Sequence, residues 1–289
     1  MKVDDIKNIS VIGAGTMGHQ IAVLCALAGY QTICMSRSET RLEKVRQFVQ
    51  KYLPERVAKG KLTGEQAELA RANLSFTTNL EEAAQEADFV IEAAVETLAV
   101  KRELFKKLDQ VCSAHAVLTT TSSYIVSSRI ADVTARPGRV CNMHFFNPAL
   151  VMKCVEVVKG PHTLEETAAV TMELARRLKK EPVLLHKEVY GFLVNRIFRA
   201  LMQEAFFLLD TEVASVEDID NSVVSALGHP MGPFRLMDLT GIDLAYRVRM
   251  ERYRETMDPA DKPSPAIVAR YARGEWGRKS GKGFYEYER

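Results

Sequence analysis

The chain has 289 residues, of which 47% are hydrophobic and 26% are charged, and its formal net charge is +2. That length allows one large domain or two moderate ones, and the near-neutral charge gives no reason to expect a nucleic-acid partner. The opening residues, MKVDDIKNIS, lack the apolar segment of a secretory signal, and the five cysteines lack metal-type spacing. We therefore expect a cytoplasmic protein with free thiols and no metal ion.

Short apolar runs alternate with helical patterns through the first 185 residues. Between the runs lie segments typical of helices, including MGHQIAVLCALAG, which ends at Gly29, and residues 39–59, where Pro54 predicts a kink. Strands that alternate with helices predict an α/β domain over residues 1–185, with a Rossmann-type, doubly wound and mostly parallel sheet. The predicted strands are NISVIGAG, YQTICMS, NLSFTTN, ADFVIEAA, HAVLTTTS, GRVCNMHFFNP, MKCVEVVKG and PVLLHK.

The pattern becomes helical after residue 185, which predicts an all-helical C-terminal domain over residues 186–289 that binds substrate and dimerises. Long helical stretches are expected at 191–210, 215–227 and 232–255. The first of them, GFLVNRIFRALMQEAFFLLD, carries charged residues near its centre, which argues against a membrane span. Its apolar stripe is wide enough to predict burial against a second subunit, and hence a homodimer.

A glycine-rich turn, GAGTMG, follows the first predicted strand and opens a helix. Gly13 permits a tight turn, Gly15 lets the backbone approach a pyrophosphate, and Gly18 lets the helix pack on the sheet. The amide groups at the start of that helix favour phosphate. A dinucleotide is therefore expected to bind here, in contact also with the intervening residues Ala14, Thr16 and Met17.

The end of the second predicted strand bears on which dinucleotide is bound. An NAD site typically has an acidic residue there for the ribose 2′-hydroxyl, but this chain has Ser36 and Arg37. A hydroxyl followed by a guanidinium favours a 2′-phosphate, so NADP(H) is predicted in preference to NAD(H), with Ser38 and Arg41 as further candidates for contacts. The alternative is that Arg37 is merely solvated and that the protein uses NAD.

His144 and Glu156 are the candidate acid–base pair. His144 ends one predicted strand beside the turn-forming sequence FNP, and Glu156 lies within the apolar run KCVEVV. A carboxylate in an apolar strand needs a partner, and a histidine supplies one whose tautomer the carboxylate controls. Such a pair moves a proton on and off an alcohol oxygen while a nicotinamide exchanges hydride at the same carbon. The alternative is a structural histidine and an unrelated, solvated glutamate.

The sequence resembles the L-3-hydroxyacyl-CoA dehydrogenases over essentially its whole length, and most of all the short-chain 3-hydroxybutyryl-CoA dehydrogenases. The resemblance rests on VIGAGTMG, IEAAVETLAVKRELFKKLD, TTSS, HFFNP with MKCVEVV, GFLVNR, GHPMGPFRLMDLTGID and GRKSGKGFYEY, in that order. The family usually carries an acidic residue where this chain has Ser36, which keeps the choice between NADP and NAD open.

The resemblance implies roles for three residues of the catalytic region. His144 corresponds to the base that takes the 3-hydroxyl proton, and Glu156 to its orienting carboxylate. Ser122 corresponds to a serine near the substrate oxygen and the nicotinamide. Ser123 is the alternative, because the interval from Ser122 to His144 is one residue longer than usual.

Further positions correspond to ligand contacts in the family. Asn195 corresponds to an asparagine that holds the thioester or keto oxygen, and Lys279 to a lysine near the CoA phosphates. The positions that correspond to cofactor contacts are Glu96, Lys101 and Asn147.

The function implied is interconversion of acetoacetyl-CoA and (S)-3-hydroxybutyryl-CoA by a nicotinamide-dependent oxidoreductase. From the residues themselves we further expect a cytoplasmic homodimer that uses NADP(H) in preference to NAD(H). Its partner would be an acyl-CoA, with no nucleic acid and no membrane. One alternative is a related dehydrogenase of a free hydroxy acid, of the carnitine or gulonate type. The other is a non-catalytic, crystallin-like protein on the same scaffold, against which the presence of His144, Glu156 and Asn195 argues.

Overall fold

The computed structural model describes residues 1–288. The chain divides into two compact units, Met1–Leu193 and Val194–Arg289, each with its own hydrophobic core. The first unit therefore extends beyond the last predicted strand as far as Leu193.

The first unit is built on an eight-stranded sheet. Its strands are β1 (Asn8–Ile12), β2 (Gln31–Met35), β3 (Leu74–Thr77), β4 (Phe89–Glu92), β5 (Val117–Thr120), β6 (Val140–Phe145), β7 (Cys154–Val158) and β8 (Glu181–Leu185). They lie in the order β3-β2-β1-β4-β5-β6-β7-β8, and every neighbouring pair is parallel except β6 with β7. Each strand overlaps one of the apolar runs, and the predicted doubly wound, mostly parallel sheet is confirmed.

Helices connect the strands of this sheet. Several begin at a side chain that accepts a hydrogen bond from a backbone amide of the first turn, as Ser38 does from Arg41 and Asn79 from Glu81. The second helix continues through Pro54, where a kink was expected, as far as Ala58. The helices are α1 (Gly18–Leu27), α2 (Glu39–Ala58), α3 (Gly64–Ala72), α4 (Leu80–Ala84), α5 (Leu98–Val111), α6 (Ser128–Ala131) and α7 (Glu165–Arg177).

The sheet is buried on both faces, as its continuous apolar strands require. Alternate residues of β4 show this, because Phe89 and Ile91 belong to one core cluster and Val90 to another. Inside the sheet, β1 pairs with β2 on one side and with β4 on the other. The strand order reverses at this point, and ligands of doubly wound sheets bind beside the carboxyl ends of strands at such a reversal.

The second unit consists of helices α8 (Val194–Asp210), α9 (Val216–Leu227), α10 (Pro233–Thr240), α11 (Ile242–Thr256) and α12 (Pro265–Ala272). Its core contains Met202, Phe206 and Phe234. In residues 1–288, no helix is long and apolar enough to cross a membrane.

One uninterrupted helix over residues 232–255 was expected, and that prediction is wrong. Gly241 separates α10 from α11 with a φ of +105°, which residues with a side chain rarely adopt. A Cβ atom at this position would also lie 2.9 Å from Asp243 Oδ1. The glycine therefore lets the chain change direction where helical periodicity alone gave no sign of a break.

Candidate active site

The glycine turn follows β1, the strand at which the strand order reverses. Gly13 has a φ of +118°, and a Cβ there would lie 2.4 Å from the carbonyl oxygen of Ala93. A Cβ on Gly18 would lie 1.7 Å from the carbonyl oxygen of Gly13, so α1 packs against the turn without one. A Cβ on Gly15, by contrast, would meet no atom within 4 Å. The open side of Gly15, next to the amino end of α1, therefore fits a bound pyrophosphate.

The end of β2 carries hydroxyl and cationic groups. Ser36 is buried, and its Oγ accepts a hydrogen bond from the amide of Ser38 at 3.3 Å. Arg37 and Arg41 are exposed, and within residues 1–288 neither guanidinium forms an ion pair. The nearby acid Glu39 is instead engaged by Arg46, at 2.6 Å. Residue 36 thus offers no carboxylate to a ribose 2′-hydroxyl, whereas the guanidinium groups of Arg37 and Arg41 are close to it in sequence.

His144 and Glu156 face each other across the antiparallel pair β6 and β7. His144 Nδ1 lies 2.7 Å from Glu156 Oε2, and both residues are buried. The other oxygen, Oε1, accepts a hydrogen bond from the amide of Leu193 at 3.0 Å. Because a carboxylate only accepts, Nδ1 carries the proton and Nε2 is left for acid–base chemistry. The rings of Phe146 and Phe192 pack against the imidazole, with centroids 4.6 and 5.5 Å away.

Ser123, and not Ser122, lies next to this imidazole. Ser123 Oγ is 3.1 Å from His144 Nε2. Ser122 Oγ instead donates to Glu96 and accepts from the amide of Ile125 at 2.7 Å. The turn after β5 directs Ser122 into the protein, so the structure places Ser123 Oγ, and not Ser122 Oγ, beside Nε2. The long interval from Ser122 to His144 had made Ser123 the alternative in the sequence.

A buried ion pair supports the loop that follows β4. Lys101 Nζ lies 2.7 and 2.8 Å from the two oxygens of Glu92, and both side chains are almost inaccessible to solvent. Glu92 also accepts from the amide of Ala94 and from Thr120 Oγ1 at 2.7 and 2.6 Å. Lys101 approaches Glu96 at 3.5 Å.

Two residues predicted to contact the cofactor belong to this network. Lys101 is 1% exposed and its ammonium is engaged by Glu92, so it stabilises the loop. Glu96 stays partly exposed and bonds Ser122 in the turn that carries Ser123. Sequence reasoning did not select Glu92, although a carboxylate that ends a wholly apolar strand was a signal that it needed a partner.

The loop after β6 contains the predicted cofactor contact Asn147, which is exposed. Two residues that were not predicted as site residues hold this loop in place. Gln20 Nε2 donates to the carbonyl of Thr16 at 2.9 Å, and its Oε1 accepts from the amide of Leu150 at 3.2 Å. Gln20 therefore joins the glycine turn to this loop. Lys180 Nζ donates to two loop carbonyls, including that of Met152 at 2.8 Å, and burial lowers its pKa below the usual value.

Comparison with known proteins now assigns the family. Residues 8–189 match the family model described as 3-hydroxyacyl-CoA dehydrogenase, NAD binding domain, and residues 191–287 match the C-terminal domain of the same family. The chain belongs to the 3-hydroxyacyl-CoA dehydrogenase family. This confirms the predicted enzyme class, and the NAD-binding domain supports a nicotinamide cofactor.

Individual members of the family resemble this dehydrogenase along its whole length. A probable 3-hydroxybutyryl-CoA dehydrogenase of Bacillus subtilis is 38% identical, with 98% of each chain covered. The human mitochondrial hydroxyacyl-coenzyme A dehydrogenase is 35% identical, over 98% of this chain and 92% of that one. The crystal structure of the (S)-3-hydroxybutyryl-CoA dehydrogenase PaaH1 from Ralstonia eutropha superposes with a TM-score of 0.90 at 34% identity, covering 98% of this chain and all of that chain.

Two predicted site residues of this dehydrogenase lie in the second unit. Asn195 is half-buried in the first turn of α8. Lys279 is half-exposed, and its ammonium forms an ion pair with Asp243, which also pairs with Arg247. The ammonium of Lys279 is therefore already paired with a carboxylate of its own unit.

Proposed function

We propose that this dehydrogenase interconverts acetoacetyl-CoA and (S)-3-hydroxybutyryl-CoA, with His144 as the acid–base residue and NADP(H) as the preferred cofactor. The observation that carries the proposal is the buried contact of His144 with Glu156, with Ser123 on the opposite ring nitrogen. The names of the relatives support the four-carbon substrate.

The proton transfer follows from this geometry. In reduction, protonated His144 donates from Nε2 to the oxygen that develops at C3 of the substrate, and in oxidation Nε2 takes the proton back. Glu156 fixes the ring orientation and stabilises the imidazolium. Ser123 Oγ donates a hydrogen bond to the substrate oxygen, where negative charge grows. The role of Asn195, which the family resemblance predicts to hold a thioester or keto oxygen, stays a prediction. A bound nicotinamide supplies or accepts the hydride.

The substrate assay separates this proposal from its alternatives. Acetoacetyl-CoA, 3-dehydrocarnitine and the keto acid of the gulonate type are each offered with reduced nicotinamide, and loss of nicotinamide fluorescence is followed. We expect turnover with the CoA ester alone. Turnover of a free acid in preference to the CoA ester would assign a carnitine- or gulonate-type enzyme, and absence of all turnover would assign a non-catalytic protein.

The NADP(H) preference rests on Ser36 and on the cations Arg37 and Arg41. A guanidinium pairs with phosphate through charge-assisted hydrogen bonds, whereas a ribose diol calls for a carboxylate that residue 36 lacks. We expect kcat/KM to be higher for NADPH than for NADH. The variant Arg37→Gln should lower kcat/KM for NADPH by about tenfold and leave NADH unchanged, with Lys51→Gln on α2 as the control. A preference of the wild type for NADH contradicts the proposal.

We further propose a cytoplasmic homodimer. The face of α8 that its own unit leaves uncovered includes Ile197 and Phe207, which are 63% and 58% exposed, and a second subunit would bury them. The free cysteines are consistent with a reducing compartment. A monomer mass in solution would contradict the dimer.

A further inference from the structure

Ser123 is carried by an irregular segment, and not by a strand or a helix. This segment, the serine turn (residues 121–127), joins β5 to α6. Ser123 Oγ lies 3.1 Å from His144 Nε2, and a small displacement of such a hydroxyl weakens its effect on a developing charge. The contact of Ser123 with the imidazole therefore depends on the groups that hold the serine turn.

Asn142 holds the serine turn from the sheet. It is buried on β6 and precedes His144 by two residues, so both side chains leave the strand on the same face. Its Nδ2 donates to the carbonyl oxygens of Ser122 and Ile125 at 3.4 and 3.0 Å, and its Oδ1 accepts from the amide of Ser127 at 2.8 Å. One side chain thus ties the serine turn, at three points, to the strand that carries the catalytic imidazole.

Glu188 holds the end of the serine turn from the segment that follows β8. Its Oε1 accepts hydrogen bonds from Ser127 Oγ and from the amide of Ser128, each at 2.8 Å. Ser127 is buried, so the loss of this oxygen would leave its hydroxyl without an acceptor at a costly place. The serine turn is therefore held from two sides, by β6 and by the segment after β8.

The sheet itself gives no reason for an asparagine at position 142. The neighbouring residues Cys141 and Met143 belong to an apolar core cluster, and the backbone of β6 pairs with β5 and β7 whatever its side chains are. A buried amide is costly unless its hydrogen bonds are made. The carbonyl and amide groups of the serine turn account for this polar residue in an otherwise apolar part of the strand.

We propose that Asn142 and Glu188 are positioning residues for the proton transfer, because they hold the serine turn so that Ser123 Oγ stays against His144 Nε2. The proposal rests on the proposed function, in which Ser123 donates to the substrate oxygen. Since both residues act through Ser123, replacing either of them should lower kcat by no more than Ser123→Ala does.

The kinetic test introduces Asn142→Leu and Glu188→Leu into the wild type and into Ser123→Ala. Each should lower kcat for reduction of acetoacetyl-CoA by about three- to tenfold in the wild type, and by less than about twofold when Ser123 is already alanine. The KM for the cofactor should stay within about twofold of the wild-type value. Glu188→Gln keeps an accepting oxygen and should retain at least about half of the wild-type kcat.

Asn73→Leu is the matched control for a buried asparagine. Asn73 precedes β3 at an edge of the sheet, where it accepts from Gln31 Nε2 at 2.8 Å and donates to the carbonyl of Ala26 at 3.4 Å. Its loss removes hydrogen bonds between elements without touching the serine turn, so kcat should change by less than about twofold. Circular dichroism checks that every variant is folded, and Glu188→Leu carries the test if Asn142→Leu does not fold.

A second measurement needs no substrate. The ¹⁵N resonance of Nε2 in neutral His144, assigned with His144→Gln, should move toward its Ser123→Ala value in Asn142→Leu and Glu188→Leu, and should stay in place in Asn73→Leu and Glu188→Gln. An unchanged kcat, equal losses of kcat with and without the Ser123 hydroxyl, or an unmoved resonance overturns the proposal. If the resonance moves as expected but the wild type does not reduce acetoacetyl-CoA, the proposed function fails while the positioning of Ser123 stands.

Discussion

Replacing Glu156 with glutamine tests the proposal that Glu156 sets the tautomer with which His144 transfers a proton. The carboxylate accepts hydrogen bonds from His144 Nδ1 at 2.7 Å and from the amide of Leu193 at 3.0 Å. A glutamine has one accepting oxygen and one donating NH₂ group in place of two acceptors. Because the amide of Leu193 can only donate, the glutamine oxygen must face it, and the NH₂ group then faces Nδ1.

This arrangement selects the inactive tautomer. With the NH₂ group donating to Nδ1, neutral His144 carries its proton on Nε2, the atom that must accept a proton from the alcohol. In serine proteases the corresponding acid-to-amide change lowers kcat by about 10⁴-fold for the same reason. We therefore expect Glu156→Gln to lower kcat by about 10³- to 10⁴-fold, or about 4–5.5 kcal/mol in activation free energy.

The assay is steady-state oxidation of (S)-3-hydroxybutyryl-CoA, together with a titration of the reduced cofactor by fluorescence. The dissociation constant of the cofactor should stay within about twofold of the wild-type value, because Glu156 is expected to act on the proton transfer by orienting His144. Glu181→Gln on β8 is the control, since Glu181 is an exposed carboxylate of the same sheet. A kcat of Glu156→Gln within about threefold of the wild type would refute the tautomer argument.

Three further substitutions test the residues that support the site. Lys101→Met leaves the buried charge of Glu92 without its cation and should lower the free energy of unfolding, measured in urea, by about 3–5 kcal/mol. Most of that free energy should be restored when Glu92→Gln is added. A loss below about 1 kcal/mol would contradict the buried ion pair. Ser123→Ala should lower kcat by about tenfold or more in steady-state kinetics without weakening cofactor binding, and Ser122→Ala should lower kcat less. A larger loss of kcat in Ser122→Ala than in Ser123→Ala would show that Ser122 is the serine that contacts the substrate. Gln20→Leu removes both hydrogen bonds that join the glycine turn to the loop after β6, so the KM for the cofactor should rise by about three- to tenfold. An unchanged KM would show that Gln20 does not position the cofactor.

The fold was predictable because, along the whole first unit, the apolar runs and the turn residues between them indicate the same strand and helix positions. His144 and Glu156 lie in adjacent predicted strands, and the antiparallel register places them directly opposite each other. That contact could be predicted from two facts: strands alternate with helices along the chain, and burying a carboxylate without a partner is costly.

What could not be predicted is the direction in which individual side chains point. The sequence shows two adjacent serines after β5, and only the turn geometry sends Ser122 to Glu96 and Ser123 to His144. Lys101 on an amphipathic helix resembles any surface lysine until its ion pair with Glu92 is known. Both cases depend on contacts between side chains of different elements, which local sequence patterns do not encode.

The most direct test of the account compares the wild type with His144→Gln in single-turnover reduction of acetoacetyl-CoA by NADPH. The account predicts rapid loss of nicotinamide fluorescence with the wild type. It predicts a rate lower by at least about 10³-fold with His144→Gln, at an unchanged dissociation constant for the cofactor. A rate for His144→Gln close to that of the wild type would contradict the central claim that this imidazole transfers the proton.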